Sequence, residues 1–564
     1  MSMTQLIECV PNFSEGLDLN IIKQITNEIE SIEGVKLLNV DPGKATNRTV
    51  VTFVGNPKAV IEAAFLAIKK AGELIDMRKH KGEHPRMGAT DVCPLIPISN
   101  ISMAETSKYA WLLAKRVGEE ISIPVYLYEE AQVNKSRSNL SLIRHGEYEG
   151  FFKKITLAEW KPDFGPSQMD EKRGATVIGA RDFLVAYNVN LNTTSTRRAN
   201  SVAFDVREAG RTLREGDSIN GKIVANPDGT PKSAPGSLKS VKAIGWYIKE
   251  YGVCQISMNL TNINITPVHI AFHEVCKKAN DRGLRVTGSE LVGLIPLKAM
   301  LDAGRYFLKK QKRSVGVSES ELIKIAVKSM GLDEISPFKA KDRIIEYILK
   351  NTDDSNLVSM TLSSFADETS SESPAPGGGS ISAYVGSLGI SLATMVANLS
   401  SHKKGWDDRW EIFSAWAEKG QKIKDELIRL VDEDTAAFNK IMLAFGLPKS
   451  TEEEKKIRTQ NIQDATKVAI EVPFRVMHLC FESLEVIKAM AEIGNPNSAS
   501  DAGVGALCAR SAVVGAFMNV RINASGYNDK TYTTEIISKG KDLEEKTMIA
   551  ETEILKIVND KIDM

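Results

Sequence analysis

The 564-residue sequence predicts a multidomain protein in which an N-terminal α/β or α+β region is followed by an all-α helical bundle. Up to about residue 350, strand-like runs alternate with amphipathic helical runs, a pattern typical of layered folds that combine both elements. We interpret the polar stretch 350–356 as a linker. Beyond it, strand signals nearly vanish and apolar residues recur at helical spacing with dense charge between them. This second pattern predicts a helical bundle.

Local residue patterns predict the elements of the first region. Runs of aliphatic and β-branched residues predict strands at 35–40, 48–54, 122–128, 183–191 and 253–260. Apolar residues at helical spacing predict helices at 57–72, 105–120, 267–282 and 297–311. The segment 211–240 is polar and rich in turn residues, so we interpret it as an inserted surface hairpin or loop.

The second region contains five long predicted helices. Three carry an apolar stripe between charged residues, 411–442, 450–490 and 533–563, and two are rich in Gly, Ala and Ser, 380–399 and 500–523. Between Glu372 and His402 there are 29 uncharged residues, so a membrane-spanning helix has to be considered. The glycine and serine content favours a helix buried in protein instead, because small residues let helix backbones approach closely.

The composition excludes several classes of protein. The 72 Lys and Arg balance 72 Asp and Glu, so there is no polybasic footprint of a nucleic-acid partner. With 42% hydrophobic and 26% charged residues, the chain resembles an ordinary globular protein and global disorder is excluded. The six cysteines form no C-x-x-C pair, which excludes a zinc ribbon and fits a reducing compartment. The first residues lack a signal-peptide pattern, and we expect a cytoplasmic protein.

Two of the seven histidines, His80 and His84, fall in the basic stretch 77–94, which contains loop-forming glycine and proline. An imidazole titrates near neutral pH, so a loop histidine is a good candidate for general acid and base catalysis. The surrounding lysines and arginines, Arg86 among them, would attract a carboxylate substrate. The alternative is a solvated basic loop without a catalytic role.

Two further stretches of the first region are candidates for a binding site. Asp41 and Arg48 lie at the mouth of the first predicted hairpin. The aspartate could orient a histidine or hold a substrate ammonium, or it could serve only as a turn former. The loop 163–176 is bounded by Gly and Pro and leads into a strand. A flat heterocycle could lie across it, although a plain interdomain loop is equally compatible with the sequence.

A run of three glycines and a serine, 377–380, opens the first small-residue helix. Backbone N–H groups at such a helix start favour an anion. The run is not GxxxxGK[ST], which disfavours a nucleoside triphosphatase. A flexible linker would have the same composition, so this motif alone does not distinguish an anion-binding helix start from a linker.

Acidic residues of the bundle are the candidate proton donors. Asp434 lies within the predicted helix 411–442 and is followed by two alanines and a phenylalanine, so it could face an apolar groove. A partly buried carboxyl has a raised pKa and can donate a proton, whereas the usual interpretation of such an acidic run is a solvated face. Asp501 begins another helix, where it is either a cap or a neighbour of the glycine run.

His269 and His273 have the i, i+4 spacing of metal ligands on a helix. The glutamate that accompanies this spacing in HExxH is absent between them. We therefore favour an interpretation without a metal.

Taken together, these stretches resemble one family, the bifunctional formimidoyltransferase-cyclodeaminases. The resemblance covers nearly the whole chain in the family's order. The matching segments are CVPNFSEG at 9–16, KGEHPRMG at 81–88, DVCP at 91–94, ELVGLIPLK at 290–298, APGGGS at 375–380 and LVDED at 430–434. The resemblance implies a transferase of two subdomains, 1–183 and 184–350, a linker at 351–357 and a cyclodeaminase domain at 358–564.

The resemblance also implies roles for particular residues. His84 matches the transferase acid and base, Asp41 a supporting acid, and Asp434 the cyclodeaminase proton donor. By charge, we expect Arg48 and Arg86 to bind carboxylates of the substrates. One segment matches the folate-contacting loop of the family, although its interior, 167–173, departs from the family pattern. The whole segment consists of Gly165, Pro166, Ser167, Gln168, Met169, Asp170, Glu171, Lys172, Arg173 and Gly174. The remaining folate-binding candidates are Gly377, Gly378, Gly379, Ser380 and Asp501.

The family implies two consecutive reactions of histidine degradation. Tetrahydrofolate would accept the formimino group of N-formimino-L-glutamate, and the product would then cyclise to 5,10-methenyltetrahydrofolate with loss of ammonia. Tetrahydrofolate is the expected co-substrate, no metal is expected, and the chain is expected to form homo-oligomers. Two alternatives remain: a glutamate formyltransferase joined to a cyclohydrolase, and a helical domain that only binds partners or oligomerises.

Overall fold

The computed structural model describes the chain except residues 1–4, 44–46, 83–84, 217–220, 250, 350–355 and 564. It contains two compact units, residues 1–299 with 330–350 and residues 300–329 with 351–564. The second unit therefore includes a segment, 300–329, that we had assigned to the second transferase subdomain. The segment packs within the helical unit, where the Val315 N–H donates to Ser414 Oγ at 3.1 Å and Asn398 Nδ2 donates to the Gly316 carbonyl at 2.8 Å.

A seven-stranded mixed sheet forms the first subdomain of unit one. Its strands are β1 (Leu6–Cys9), β2 (Asn12–Phe13), β3 (Val35–Gly43), β4 (Arg48–Gly55), β5 (Thr90–Ser99), β6 (Val125–Glu129) and β7 (Thr176–Ala180). Strand β3 pairs with β4, and both β1 and β2 lie between β4 and β5. Strands β5, β7 and β6 follow in parallel. The helices are α1 (Leu19–Glu30), α2 (Pro57–Leu74), α3 (Met103–Glu120), α4 (Leu140–Arg144) and α5 (Glu147–Lys154).

Local sequence explains why α2 and α3 begin where they do. The Asn56 side chain accepts from the Ala59 N–H, and Pro57 occupies the first helical turn, where its missing N–H costs nothing. Ser102 and Glu105 form a reciprocal capping box at the start of α3. Apolar faces of α1, α2 and α3 share the buried core of the sheet with residues such as Ile7 and Phe53.

Strand β5 was not predicted, although it lies in the middle of the first sheet. The sequence places Pro94 and Pro97 inside it, and proline is normally a signal against a central strand. Residues Asp41 to Gly43, which lie beyond the predicted strand 35–40, continue strand β3.

The second subdomain of unit one is built on a four-stranded antiparallel sheet in the order β11-β12-β8-β13. Its strands and a short hairpin are β8 (Val185–Leu191), β9 (Arg211–Thr212), β10 (Ser233–Ala234), β11 (Val241–Ile248), β12 (Val253–Leu260) and β13 (Val286–Val292). Strands β9 and β10 pair, so the predicted insertion is a hairpin in its described part. The helices that follow in chain order are α6 (Thr196–Val206), α7 (Val268–Asn280), α8 (Leu297–Lys310), α9 (Glu319–Met330), α10 (Ala340–Arg343) and α11 (Ile345–Leu349). Most of α8 and of α9 lies in the second unit.

The second unit is helical and confirms the predicted bundle. Its helices after α8 and α9 are α12 (Leu362–Thr369), α13 (Gly378–Ser401), α14 (Trp410–Phe445), α15 (Glu452–Ile493), α16 (Ala499–Ser525) and α17 (Lys530–Ile562). Helices α13 and α16 approach closely, because a Cβ on Gly389 would lie 2.9 Å from the Gly505 carbonyl oxygen.

Two helices of the bundle are long and apolar enough to cross a membrane, Gly378–Ser401 and Pro496–Ser525. Of their most apolar stretches, 61% and 50% are buried within the protein. Core helices of a bundle have the same length and composition, so these two features are weak evidence for a membrane.

Candidate active sites

The histidine loop, residues 77–89, is fixed through His80. His80 Nε2 lies 2.8 Å from the Asn47 carbonyl oxygen, and Arg86 Nε donates to His80 Nδ1 at 3.4 Å. Because Nδ1 accepts, Nε2 carries the proton and donates to the carbonyl. Asn47 Nδ2 also donates to the Lys81 carbonyl at 2.9 Å. Both ring nitrogens of His80 are therefore engaged, which leaves this histidine a structural role.

Arg86 does not have the free guanidinium that we expected for a substrate carboxylate. Its Nη1 donates to Glu147 and Glu149 at 2.9 Å, and its Nη2 donates to Glu149 at 2.6 Å. The hydrogen bonds from Arg86 lower the pKa of Glu149. Since Arg86 is only 8% exposed, the structure places it in an internal ion-pair network, and we correct our assignment of it.

His84 lies outside the described residues. The residue that follows it, Pro85, lines a cavity of about 670 Å³. The first subdomain contributes cavity-lining residues that include Arg144, and the second contributes Lys242 and Asn262. The two subdomains of unit one therefore share a cavity beside the histidine loop.

Asp41 is exposed near the end of β3, opposite Val50 of β4. Its negative charge raises the pKa of Arg48, although burial is the largest influence and lowers that pKa. Asp41 and Arg48 are thus close to each other, as we expected.

Sequence reasoning missed a buried cluster next to this pair. The Asp91 carboxylate is completely buried, and its Oδ1 accepts from the Met87 N–H at 3.0 Å. Arg144 Nη2 donates to Asp91 Oδ2 at 2.6 Å. Burial raises the pKa of Asp91, while the charges of Arg144 and Arg48 oppose that rise. The DVCP motif contained Asp91, but nothing in the sequence indicated Arg144 as its partner.

The predicted folate loop, 165–174, packs directly against the histidine loop. Gly174 has φ +76°, and a Cβ there would overlap the Met87 carbonyl oxygen. The Ala89 N–H donates to the Arg173 carbonyl at 2.7 Å. Arg173 also forms an ion pair with Asp170 at 2.6 Å. Met169 is buried, whereas the side chains of the loop that remain exposed are Pro166, Ser167, Gln168, Glu171 and Lys172.

The helical unit brings Asp434 to the start of α13, a contact that the sequence did not indicate. Ser380 Oγ donates to Asp434 Oδ2 at 3.0 Å and lies 2.9 Å from the Val431 carbonyl oxygen. Burial raises the pKa of Asp434, and the hydrogen bonds from Ser380 partly oppose the rise. A half-buried carboxyl of this kind is suited to proton donation.

Helix α16 contributes a residue to this site that the sequence did not indicate. A Cβ on Gly378 would lie 3.1 Å from Asn519 Nδ2. Asp501 lies 18 residues earlier in the same helix, which at 1.5 Å per residue is a separation of about 27 Å. Within this chain, Asp501 therefore does not share a site with the glycine run, and that expectation is corrected.

His269 and His273 lie on α7, as their spacing suggested. Among the residues that the structure describes, no group of three or more His, Cys, Asp or Glu side chains is arranged to hold a metal ion.

The fold and the two sites define a chain of two enzyme-like parts, an α/β unit with a cavity beside a histidine loop and a helical unit with a half-buried aspartate. Three family models match in the same order: "Formiminotransferase domain, N-terminal subdomain" over 6–181, "Formiminotransferase domain" over 186–350 and "Formiminotransferase-cyclodeaminase" over 361–542. The chain belongs to the formimidoyltransferase-cyclodeaminase family of enzymes.

Relatives with curated names agree with this assignment. The chicken formimidoyltransferase-cyclodeaminase is 43% identical over 534 residues, 94% of this chain and 95% of the relative. The glutamate formimidoyltransferase of Thermoplasma acidophilum is 42% identical over 54% of this chain and 92% of its own length. The methenyltetrahydrofolate cyclohydrolase of Methylorubrum extorquens is 34% identical over 36% of this chain and 98% of its own.

Proposed function

We propose that this chain transfers the formimino group of N-formimino-L-glutamate to tetrahydrofolate and then cyclodeaminates the product to 5,10-methenyltetrahydrofolate and ammonia. The observation that carries the proposal is the contact between Asp434 and the start of α13 in a chain of this family. The cavity beside Pro85 supports the transferase part.

In the transfer, N5 of tetrahydrofolate attacks the formimino carbon and forms a tetrahedral adduct. His84 takes the proton from N5 and returns a proton to the glutamate nitrogen as the bond between carbon and that nitrogen breaks. The assignment to His84 is supported by His80, whose two ring nitrogens are already engaged. Holding both substrates together accelerates the reaction further, because positioning can lower the activation free energy by about 7–11 kcal/mol in favourable cases.

In the cyclisation, N10 attacks the transferred carbon, and the proton of N10 passes to the imino nitrogen, which becomes an amine. The bond from the carbon to this amine then breaks as ammonia departs. Asp434 protonates that leaving nitrogen. Its raised pKa supports this role, because a larger fraction stays protonated near neutral pH. Backbone N–H groups at the start of α13 are suited to an anionic part of the folate.

An assay with both substrates tests the proposal. The absorbance of the methenyl product should rise only when N-formimino-L-glutamate and tetrahydrofolate are both present, with ammonia released in equal amount. A chain that consumes the donor without forming this product would contradict it.

A second candidate function is formyl transfer followed by a cyclohydrolase reaction, which the similarity to the bacterial cyclohydrolase favours. The two donors differ only by O in place of NH. N-formyl-L-glutamate should support less than a tenth of the formimino rate if the first proposal holds. Equal rates would favour the second candidate.

We further propose a cytoplasmic homo-oligomer that uses tetrahydrofolate as co-substrate and requires no metal. All six cysteines are free thiols, which fits a reducing compartment. Exposed apolar side chains on α13 and α16, including Leu388, Leu399, Val504 and Leu507, support self-association. Light scattering after chromatography tests the oligomer, and activity after treatment with a chelator tests the metal.

A further inference from the structure

The cluster of Asp91, Arg144 and Arg48 holds more positive than negative charge in a buried place. Asp91 contributes one carboxylate with a side chain only 1% exposed, and the Arg144 side chain is 14% exposed. Burial lowers the pKa of Arg48, and the charges of nearby Asp91 and Arg144 act on that pKa in opposite directions. Exposed Asp41 is a further acid near Arg48. Two partly buried guanidiniums therefore accompany the one fully buried carboxylate of Asp91.

The guanidiniums of this cluster are incompletely paired. The Nε atoms of both Arg48 and Arg144 are buried and find no hydrogen-bond partner among the residues that the structure describes. Of the residues that the structure describes, Asp91 is the only hydrogen-bond partner of Arg144. Unpaired donors in a buried place cost free energy, which a ligand with acceptor oxygens can recover.

Arg144 faces the cavity that Pro85 also lines, so an incoming ligand can reach it. Acidic residues line the same cavity, but several already have partners. Glu147 is bound by Arg86 at 2.9 Å, and Asp182 accepts from Asn262. The other acidic and basic residues of the lining are Glu129, Glu130, His145, Arg181 and Lys242. This mixture suits a substrate that carries carboxylates at one end and a cationic amidine at the other.

We propose that Arg144, oriented by buried Asp91, binds a carboxylate of the amino-acid donor, in the role that we first expected for Arg86. This inference rests on the proposed transferase function. An arginine is suited to the role because its planar fork can present two donors to a carboxylate while a third N–H stays on Asp91. Asp91 acts as a positioning residue, because it holds Arg144 and the backbone of Met87 in the histidine loop.

The test compares Arg144→Gln and Arg144→Lys with the wild-type enzyme. Loss of a charged hydrogen-bond pair should raise the KM for N-formimino-L-glutamate about 10- to 100-fold in Arg144→Gln, and Arg144→Lys should recover part of that loss. The KM for tetrahydrofolate should stay within about twofold of wild type. If Arg144→Gln does not fold, Arg144→Lys retains the cation and still allows the comparison.

Arg137→Gln is the matched control. The Arg137 side chain is 13% exposed and pairs with Asp163 at 2.8 Å, but Arg137 does not line the cavity. Its loss should leave the KM for the donor unchanged. If the KM for the donor rises equally in Arg137→Gln and Arg144→Gln, the effect of the Arg144 substitution is structural and the inference is wrong.

A donor analogue gives a second readout. N-formimino-L-glutamine replaces the side-chain carboxylate by a carboxamide, and its α-amide isomer tests the other carboxylate. Wild type should discriminate against one of them, and Arg144→Gln should lose most of that discrimination. Discrimination that persists in Arg144→Gln overturns this inference alone. A wild-type enzyme that transfers from no formimino donor overturns the proposed function instead.

Discussion

The carboxylate of Asp434 lies directly against the backbone of Gly379, so that a Cβ at Gly379 would overlap Asp434 Oδ1. The glycine at this position is therefore required by a neighbouring helix and not by its own backbone conformation. Ser380, the next residue, supplies the hydroxyl that holds the same carboxylate. Adjacent residues of α13 thus set the position of one acid on α14.

We predict that Gly379→Ala abolishes most cyclodeaminase activity and spares formimino transfer. The added methyl group must push the Asp434 carboxylate away from Ser380 and from the leaving nitrogen. Ammonia release from synthetic 5-formimidoyltetrahydrofolate measures the effect. Gly526→Ala is the control, because a Cβ there makes only an ordinary contact with the Asn523 carbonyl oxygen. A fully active Gly379→Ala enzyme would contradict the site.

Asp434→Asn should lower the cyclodeaminase rate about 10²- to 10⁴-fold, because asparagine keeps the shape and cannot donate the proton. Formimino transfer in the same preparation should be unchanged. The two rates are measured separately, with formiminoglutamate for the transfer and the synthetic intermediate for the cyclisation. Loss of both activities in a folded protein would refute the two-site assignment.

The cyclodeaminase rate should fall as pH rises. Asp434 acts in its protonated form, and burial raises its pKa, so the active form persists above the range of an exposed aspartate and is lost at higher pH. The measurement is kcat for the synthetic intermediate as a function of pH. A rate that increases with pH over this range would argue for a base and against the proposed acid.

His84→Ala should remove formimino transfer and leave cyclodeamination intact. His80→Gln should lower thermal stability, because it disrupts the bonds to Asn47 and Arg86, yet the pH profile of transfer should keep its wild-type shape. Profiles of transfer rate against pH for both variants separate the two histidines. If the pH profile of transfer changes its shape in His80→Gln, the roles of the two histidines are reversed.

Glu8→Gln should stabilise the first unit at pH 8 and have little effect near pH 5. Burial raises the pKa of Glu8 to about 7 from 4.5, although the charge of Arg181 opposes the rise. The folded state then binds the proton more tightly than the unfolded state, so stability falls as pH rises from about 4.5 to 7. This difference in pKa corresponds to a loss of about 3 kcal/mol in the free energy of unfolding at high pH, and glutamine, which does not ionise, removes that loss. Thermal unfolding of both proteins at pH 5 and pH 8 measures the effect. An equal change in unfolding temperature at the two pH values would contradict the prediction.

The sequence predicted the five long helices of the helical unit, but not the segment 300–329 that belongs to the same unit. Its apolar spacing gave helices close to α14, α15 and α17, since the spacing of buried residues along a helix is a local property. The small-residue helices were also predicted, because small residues let helix backbones approach closely, as Gly389 and Gly505 do. Strand β5 was missed, since its prolines argue against a strand and only its neighbours β1, β2 and β7 reveal its place.

Local pattern and family motifs thus determined the elements of this protein, the two-part organisation and the candidate histidine and aspartate. Only the tertiary structure decided which charged atoms meet. It engages Arg86 with two glutamates, brings Arg144 to the cavity beside Asp91, and separates Asp501 from the glycine run by most of a helix. The reason is physical: a side chain's charge is a property of its residue, whereas its pairing depends on chain segments that fold back from far along the sequence.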